Sequence, residues 1–174
     1  MSHKAILGLV LLLTPALTFA KANKSKTLKI GALAPVFSLP DETGQLRSPL
    51  TEFKDQKIVL YFYPKDGTSD CTQEACQLRD VFDTYRAHKI NIFGISYDSV
   101  SVHAKFKAKH KLPFPLLADT DRTVAKLYSA SNNLLGRFYP QRKTVLIAQG
   151  KIVAIIENVN IKTHSSDILK AFAS

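Results

Sequence analysis

Residues Tyr61–Asp80 read YFYPKDGTSDCTQEACQLRD, and the fold follows from how this stretch is built. The chain's two cysteines, Cys71 and Cys76, both lie in its second half. The run Ile58–Tyr63 leads into it with β-branched and aromatic side chains, which predicts a buried strand. Pro64–Gly67 predicts a turn, because Pro64 has no N–H for a sheet ladder and Gly67 tolerates unusual dihedrals. A helix is then expected over residues 70–89, with Asp70 as N-cap and Gln73 completing a capping box. Cys71, Ala75, Leu78, Phe82 and Tyr85 recur at spacings of four and three, one apolar stripe to lay against a sheet.

This reading puts Cys71 in the first turn of a helix. Free N–H groups and the positive end of the helix dipole favour an anion there, so the thiolate gains over the thiol. On a continuous helix, residues five apart are displaced by roughly 7.5 Å along the axis and about 140° around it. The Cα atoms of Cys71 and Cys76 are then roughly 8.5 Å apart, beyond the limit of about 7 Å for a disulfide. Either the thiols stay reduced, or the first turns unwind to let them meet.

The stretch resembles the peroxiredoxins, most closely the bacterioferritin comigratory protein (peroxiredoxin Q) subfamily. That pattern is YFYPKD, then T-P-G-C-T-x-E-A-C and an R-D pair, met here by Tyr61–Asp66, Thr68–Cys76 and Arg79-Asp80. The family core P-x-x-x-T-x-x-C falls on Pro64, Thr68 and Cys71. Further matches are Gly31–Leu39, Gly94-Ile95-Ser96, Leu112–Asp119, and Arg142 with Thr144 as the family's R-x-T. Ser69 and Asp70 stand where the subfamily has proline and glycine. The resemblance implies a thioredoxin-like fold over residues 31–174 and a thiol-dependent peroxidase acting on hydrogen peroxide and organic hydroperoxides. It implies Cys71 as the peroxide-attacking thiol, oxidised to a sulfenic acid, with Cys76 resolving it as an intramolecular disulfide. Thr68 and Arg142 would hold and polarise the peroxide beside Pro64, and Arg142 would stabilise the thiolate. Pro64 and Glu74 read as scaffold for the loop. The reductant implied is a thioredoxin-like protein, and no cofactor is implied.

The ends and the composition bound the rest. At 174 residues and a formal net charge of +10, the chain suits one domain with its own core. Lys4, the apolar run Ala5–Leu13, Pro15 and the small-residue sites ending at Ala20 and Ala22 predict a signal peptide over residues 1–22. The apolar stretch Ala5–Ala20 is sixteen residues and broken by Pro15, short of the roughly twenty of a membrane span. No stable membrane insertion is therefore expected. Residues 23–30 form a basic arm, and export to the periplasm follows from the leader.

Downstream, Val36–Leu39 and Gln45–Arg47 predict a small N-terminal hairpin. Strands are expected at Ile90–Asp98, Phe114–Ala118, Lys143–Ala148 and Lys151–Glu157, and helices at Val100–Lys111, Arg122–Ala130 and Ser166–Phe172. Strands alternating with helices, then a terminal hairpin and helix, give an α/β architecture with a mixed central sheet flanked by helices. Lys105, Lys107, Lys109 and Lys111 make one helix face basic, but without interleaved aromatics this reads as a solvated face and not a nucleic-acid site. His103 and His110 lie seven apart with no carboxylate or thiol beside them, so no metal site is expected. The chain is expected to be monomeric. The alternative is an exported thiol-disulfide oxidoreductase or copper-delivery protein of the same superfamily. Those activities call for C-x-x-C or C-x-x-x-C, whereas four residues separate Cys71 from Cys76.

Overall fold

The computed structural model describes residues 28–131 and 139–173. The expected leader 1–22 and most of the arm 23–30 lie outside them. The elements in chain order are β1 (Leu39–Pro40), β2 (Leu46–Arg47), α1 (Pro49–Glu52), β3 (Lys57–Phe62), α2 (Ser69–Asp80), α3 (Phe82–Ala87) and β4 (Ile90–Ser96). They continue as α4 (Val100–His110), β5 (Leu116–Ala118), α5 (Thr123–Leu127), β6 (Lys143–Ala148), β7 (Lys151–Ile156) and α6 (His164–Ala173).

Five strands form one sheet in the order β5-β4-β3-β6-β7. β3 runs parallel to β4, and β4 to β5, while β6 is antiparallel to both β3 and β7. This is the mixed sheet expected from the alternation of strands and helices. β3 is central and its residues are buried on both faces, which is why it reads as an unbroken apolar run. Ile58, Leu60 and Phe62 face a core with Leu50 of α1, Val124 and Ala125 of α5, and Val145 and Ile147 of β6. Val59, Tyr61 and the following Tyr63 face the other, with Ala75 and Leu78 of α2, Phe106 of α4 and Ile168 of α6.

Differences from the sequence reading are local. The single helix expected over residues 70–89 starts at Ser69 and breaks at Val81, whose dihedrals (φ −109°, ψ 13°) leave the helical range. The break lets Tyr85 of α3 bury fully while Phe82 sits half-buried against Phe114, ring centroids 6.1 Å apart. The N-cap is Thr68 and not Asp70; Asp70 is exposed in the first turn. No capping box forms, because Thr68 supplies the extended cap backbone (φ −74°, ψ 154°) two residues earlier than a cap at Asp70 requires. The hairpin is shorter than expected, two residues a side. α6 begins two residues early, at His164.

Candidate active site

The loop between β3 and α2 is held by a buried polar clamp. The Tyr63 hydroxyl donates to Asp66 Oδ1 at 2.6 Å, and the Asp66 N–H donates to Asp98 Oδ2 at 2.8 Å. Asp98 Oδ2 also accepts from Ser96 Oγ at the end of β4. His103 of α4, fully buried, places Nδ1 2.7 Å from Asp66 Oδ2 and Nε2 3.2 Å from the Leu117 carbonyl. That carbonyl only accepts, so Nε2 carries a hydrogen, and Nδ1 and Asp66 share one further proton. Burial pushes the Tyr61 and Tyr63 hydroxyls well above the usual tyrosine range, so both stay neutral. Gly67, at φ +74°, makes the turn inside this clamp, a conformation that favours glycine.

Beyond the loop, Thr68 starts α2. Its hydroxyl donates to the Lys65 carbonyl at 3.1 Å, and its carbonyl accepts the first helical bond, from Thr72 N–H at 2.9 Å. The N–H groups ahead of Thr72, including that of Cys71, therefore open at the helix start. Cys71 is buried, 2% exposed. The pairing of β6 with β3 sets Lys143 opposite Phe62, which brings Arg142 to the same end of the sheet. Arg142 Nη2 donates to Cys71 Sγ at 3.3 Å, and Nη1 donates to Glu74 Oε2. Burial draws the Arg142 guanidinium down, but Glu74 and Cys71 outweigh it and hold the cation above its ordinary range. A fully buried Glu74, one turn beyond Cys71, thus fixes the arginine that faces the sulfur.

The sequence reading missed what stands behind Glu74. His164, the first residue of α6, lies with Nδ1 3.1 Å from Glu74 Oε1, close but off the line of a hydrogen bond. Its Nε2 is 2.8 Å from Thr144 Oγ1, so the R-x-T pair and α6 meet at one buried polar centre. Of the residues singled out by the sequence, Cys71 and Arg142 are brought into contact, and Thr68 caps their helix. Pro64 lies half-buried in the loop. Cys76 is on the same unbroken helix, half-buried, and both thiols are free. The expectation that no carboxylate or thiol accompanies the two histidines is overturned. His103 meets Asp66, and His110 Nδ1 lies 4.0 Å from Cys76 Sγ, because packing of α4 on the loop and on α2 joins residues more than thirty positions apart. Among the described residues no group of three or more His, Cys, Asp or Glu could hold a metal ion. Nor is any described helix long and apolar enough to cross a membrane.

The family model described as AhpC/TSA matches residues 30–155. The chain belongs to the AhpC/TSA family. It is a peroxiredoxin, a thiol-dependent peroxidase of thioredoxin-like fold. Peroxiredoxin Bcp of Bacillus subtilis is 37% identical over 149 residues, covering 83% of this chain and 94% of that protein. The crystal structure of Peroxidoxin BcpB from Mycobacterium tuberculosis superposes with a TM-score of 0.78 at 33% identity, covering 84% of this peroxiredoxin and 97% of the other chain. A structure of the Xanthomonas campestris bacterioferritin comigratory protein, described for alkyl peroxide reduction activity, gives 0.75 at 26% identity, covering 84% and 96%.

Proposed function

We propose that the protein reduces hydrogen peroxide and organic hydroperoxides through Cys71, with Cys76 of the same chain as the resolving thiol. The observation that carries this is the guanidinium of Arg142, 3.3 Å from a buried sulfur at a helix start. The Cys71 thiolate attacks one peroxide oxygen, the O–O bond breaks, and the leaving oxygen departs as hydroxide or alkoxide and takes up a proton. Arg142 stabilises the negative charge on both sulfur and leaving oxygen, while Glu74 fixes the fork and keeps it charged. The Thr68 hydroxyl, turned into the loop in the resting enzyme, supplies a donor and acceptor for the peroxide beside Pro64. The sulfenic acid then condenses with Cys76, releasing water and leaving a disulfide.

Both cysteines sit in one helix, so this second step needs α2 to open. A tethered thiol has a high effective concentration, which favours a monomer resolving itself. The leader-like residues 1–22 support export to the periplasm. An enzyme there lies outside the cytosolic thioredoxin pool, so its reductant is a thioredoxin-like protein supplied with electrons across the membrane. Rapid-quench alkylation after mixing reduced protein with peroxide tests the assignment. Cys71→Ser should abolish peroxide consumption, and Cys76→Ser should leave the first oxidation intact while blocking disulfide formation. Rapid peroxide consumption by the Cys71→Ser protein would overturn it. N-terminal sequencing after expression in a Gram-negative host tests export: a chain starting at Lys21 or Asn23 in the periplasm is expected, and an intact Met1 in the cytosol contradicts it.

A further inference from the structure

The two cysteines of α2 do not share their charged partners. Arg142 and Glu74 surround Cys71, whereas Cys76 turns toward the end of α4. There its Sγ lies 4.0 Å from His110 Nδ1, the outer reach of a sulfur hydrogen bond. His110 is the last residue of α4, before Lys111 in the left-handed region at φ 52°. Two contacts hold it in place. The Phe106 ring packs on the imidazole with centroids 4.9 Å apart, and Arg79 Nη1 donates to the His110 carbonyl at 2.8 Å. Arg79 follows Cys76 by three positions on α2, and its guanidinium is held above its usual range first by Asp80 and in part by Cys76. The half-buried sulfur therefore faces an imidazole whose backbone is tied to the guanidinium of Arg79.

We infer that His110 is a catalytic residue of the resolving step, the base that takes the proton from Cys76. The inference rests on Cys76 being the resolving thiol. In the resting helix the proton passes from Cys76 Sγ to His110 Nδ1, with Nε2 retaining its hydrogen, and Arg79 supports the thiolate so formed. When α2 opens, the thiolate attacks the sulfur of the Cys71 sulfenic acid. The S–S bond forms as the S–O bond breaks, and the departing hydroxide leaves as water with the proton from the imidazolium. The two-electron oxidation comes from the peroxide consumed in the first step, so no further oxidant enters. Lys109 of α4 and Lys111 just beyond it add positive charge nearby, and Lys107 pairs with Glu42, but the side-chain contact to the thiol comes from His110.

The test uses Cys76 as the lone thiol. In a Cys71→Ser background, the rate of Cys76 alkylation by iodoacetamide near neutral pH should fall about tenfold on adding His110→Gln, the low end of what a cationic neighbour does for a thiol. His110→Phe, which keeps an aromatic ring on Phe106, should give the same loss, separating packing from proton transfer. With both cysteines present, His110→Gln should leave Cys71 oxidation unchanged, slow disulfide formation, and let Cys71 over-oxidise to the sulfinic acid at lower peroxide. Unchanged Cys76 alkylation in both variants would overturn the inference, as would full reactivity in His110→Phe alone. A failure of the underlying reading looks different: Cys76→Ser would then keep both turnover and protection from over-oxidation.

Discussion

Arg142→Lys separates the charge beside Cys71 from the fork that delivers it. Arginine serves two anions through two nitrogens, Nη1 to Glu74 and Nη2 to Cys71 Sγ at 3.3 Å. An ammonium is one compact charge and serves one of them well. Glu74 is fully buried, and leaving its carboxylate unpaired costs several kcal/mol, so the lysine stays with Glu74. Its nitrogen then retreats to about 5 Å from the sulfur, where unit charges at an effective dielectric of about 20 attract by about 3.3 kcal/mol. At the observed 3.3 Å the same expression gives about 5 kcal/mol. The loss of about 1.7 kcal/mol corresponds to about a twentyfold slower oxidation of Cys71. The chain contains no tryptophan, so rapid-quench alkylation with mass spectrometry is the assay of choice. Thermal stability should change little, because Glu74 keeps a cationic partner. A rate within threefold of wild type would refute the reasoning, as would an Arg142→Met variant as fast as Arg142→Lys.

Other consequences follow from particular contacts. A Cβ at Gly94 would lie 2.6 Å from the Tyr61 hydroxyl and 2.8 Å from Leu116 Cδ2, all buried. Gly94→Ala should therefore cost about 1–3 kcal/mol by chemical denaturation; an unchanged midpoint would show that Tyr61 has room to move. Asp70 is exposed in the first turn of α2, so its repulsion of the Cys71 thiolate is solvent-screened. Asp70→Asn should raise the Cys71 alkylation rate about twofold at low salt and less at high salt. A tenfold change, or none at low salt, contradicts that placement. Oxidation by one equivalent of peroxide should lower helical circular dichroism reversibly, since α2 must open before its cysteines join. An unchanged spectrum alongside a formed disulfide would contradict the opening.

The large elements were legible because burial imposes periodicity. β3 and β6 read as apolar runs since both faces of the sheet are covered, and β6 falls at Lys143–Ala148 as expected. Short or irregular pieces were not. α1 is four residues long, too short to show a repeat. The start of α2 was expected with Asp70 as cap, whereas Thr68 caps it through backbone geometry alone, with no side-chain capping bond that residue type could announce. In the site, Cys71, Thr68 and Arg142 were found through the resemblance to known motifs. The contacts behind them join residues far apart in sequence: Asp66 with His103, Glu74 with His164, Cys76 with His110. A lone histidine in a helix carries no local signature of its partner, so these pairings emerge only once α4 and α6 are packed against α2 and the loop.

The most direct test of the account is the chemical state of one peptide after a single turnover. Cleavage after Lys65 and Arg79 releases Asp66–Arg79, which holds both cysteines. Reduced protein is treated with one equivalent of hydrogen peroxide, digested without reductant and weighed. The account predicts this peptide from a monomer, lighter by two hydrogens and bridged between Cys71 and Cys76. A Cys71 sulfinic acid beside a free Cys76, or a bridge joining two chains, would contradict it.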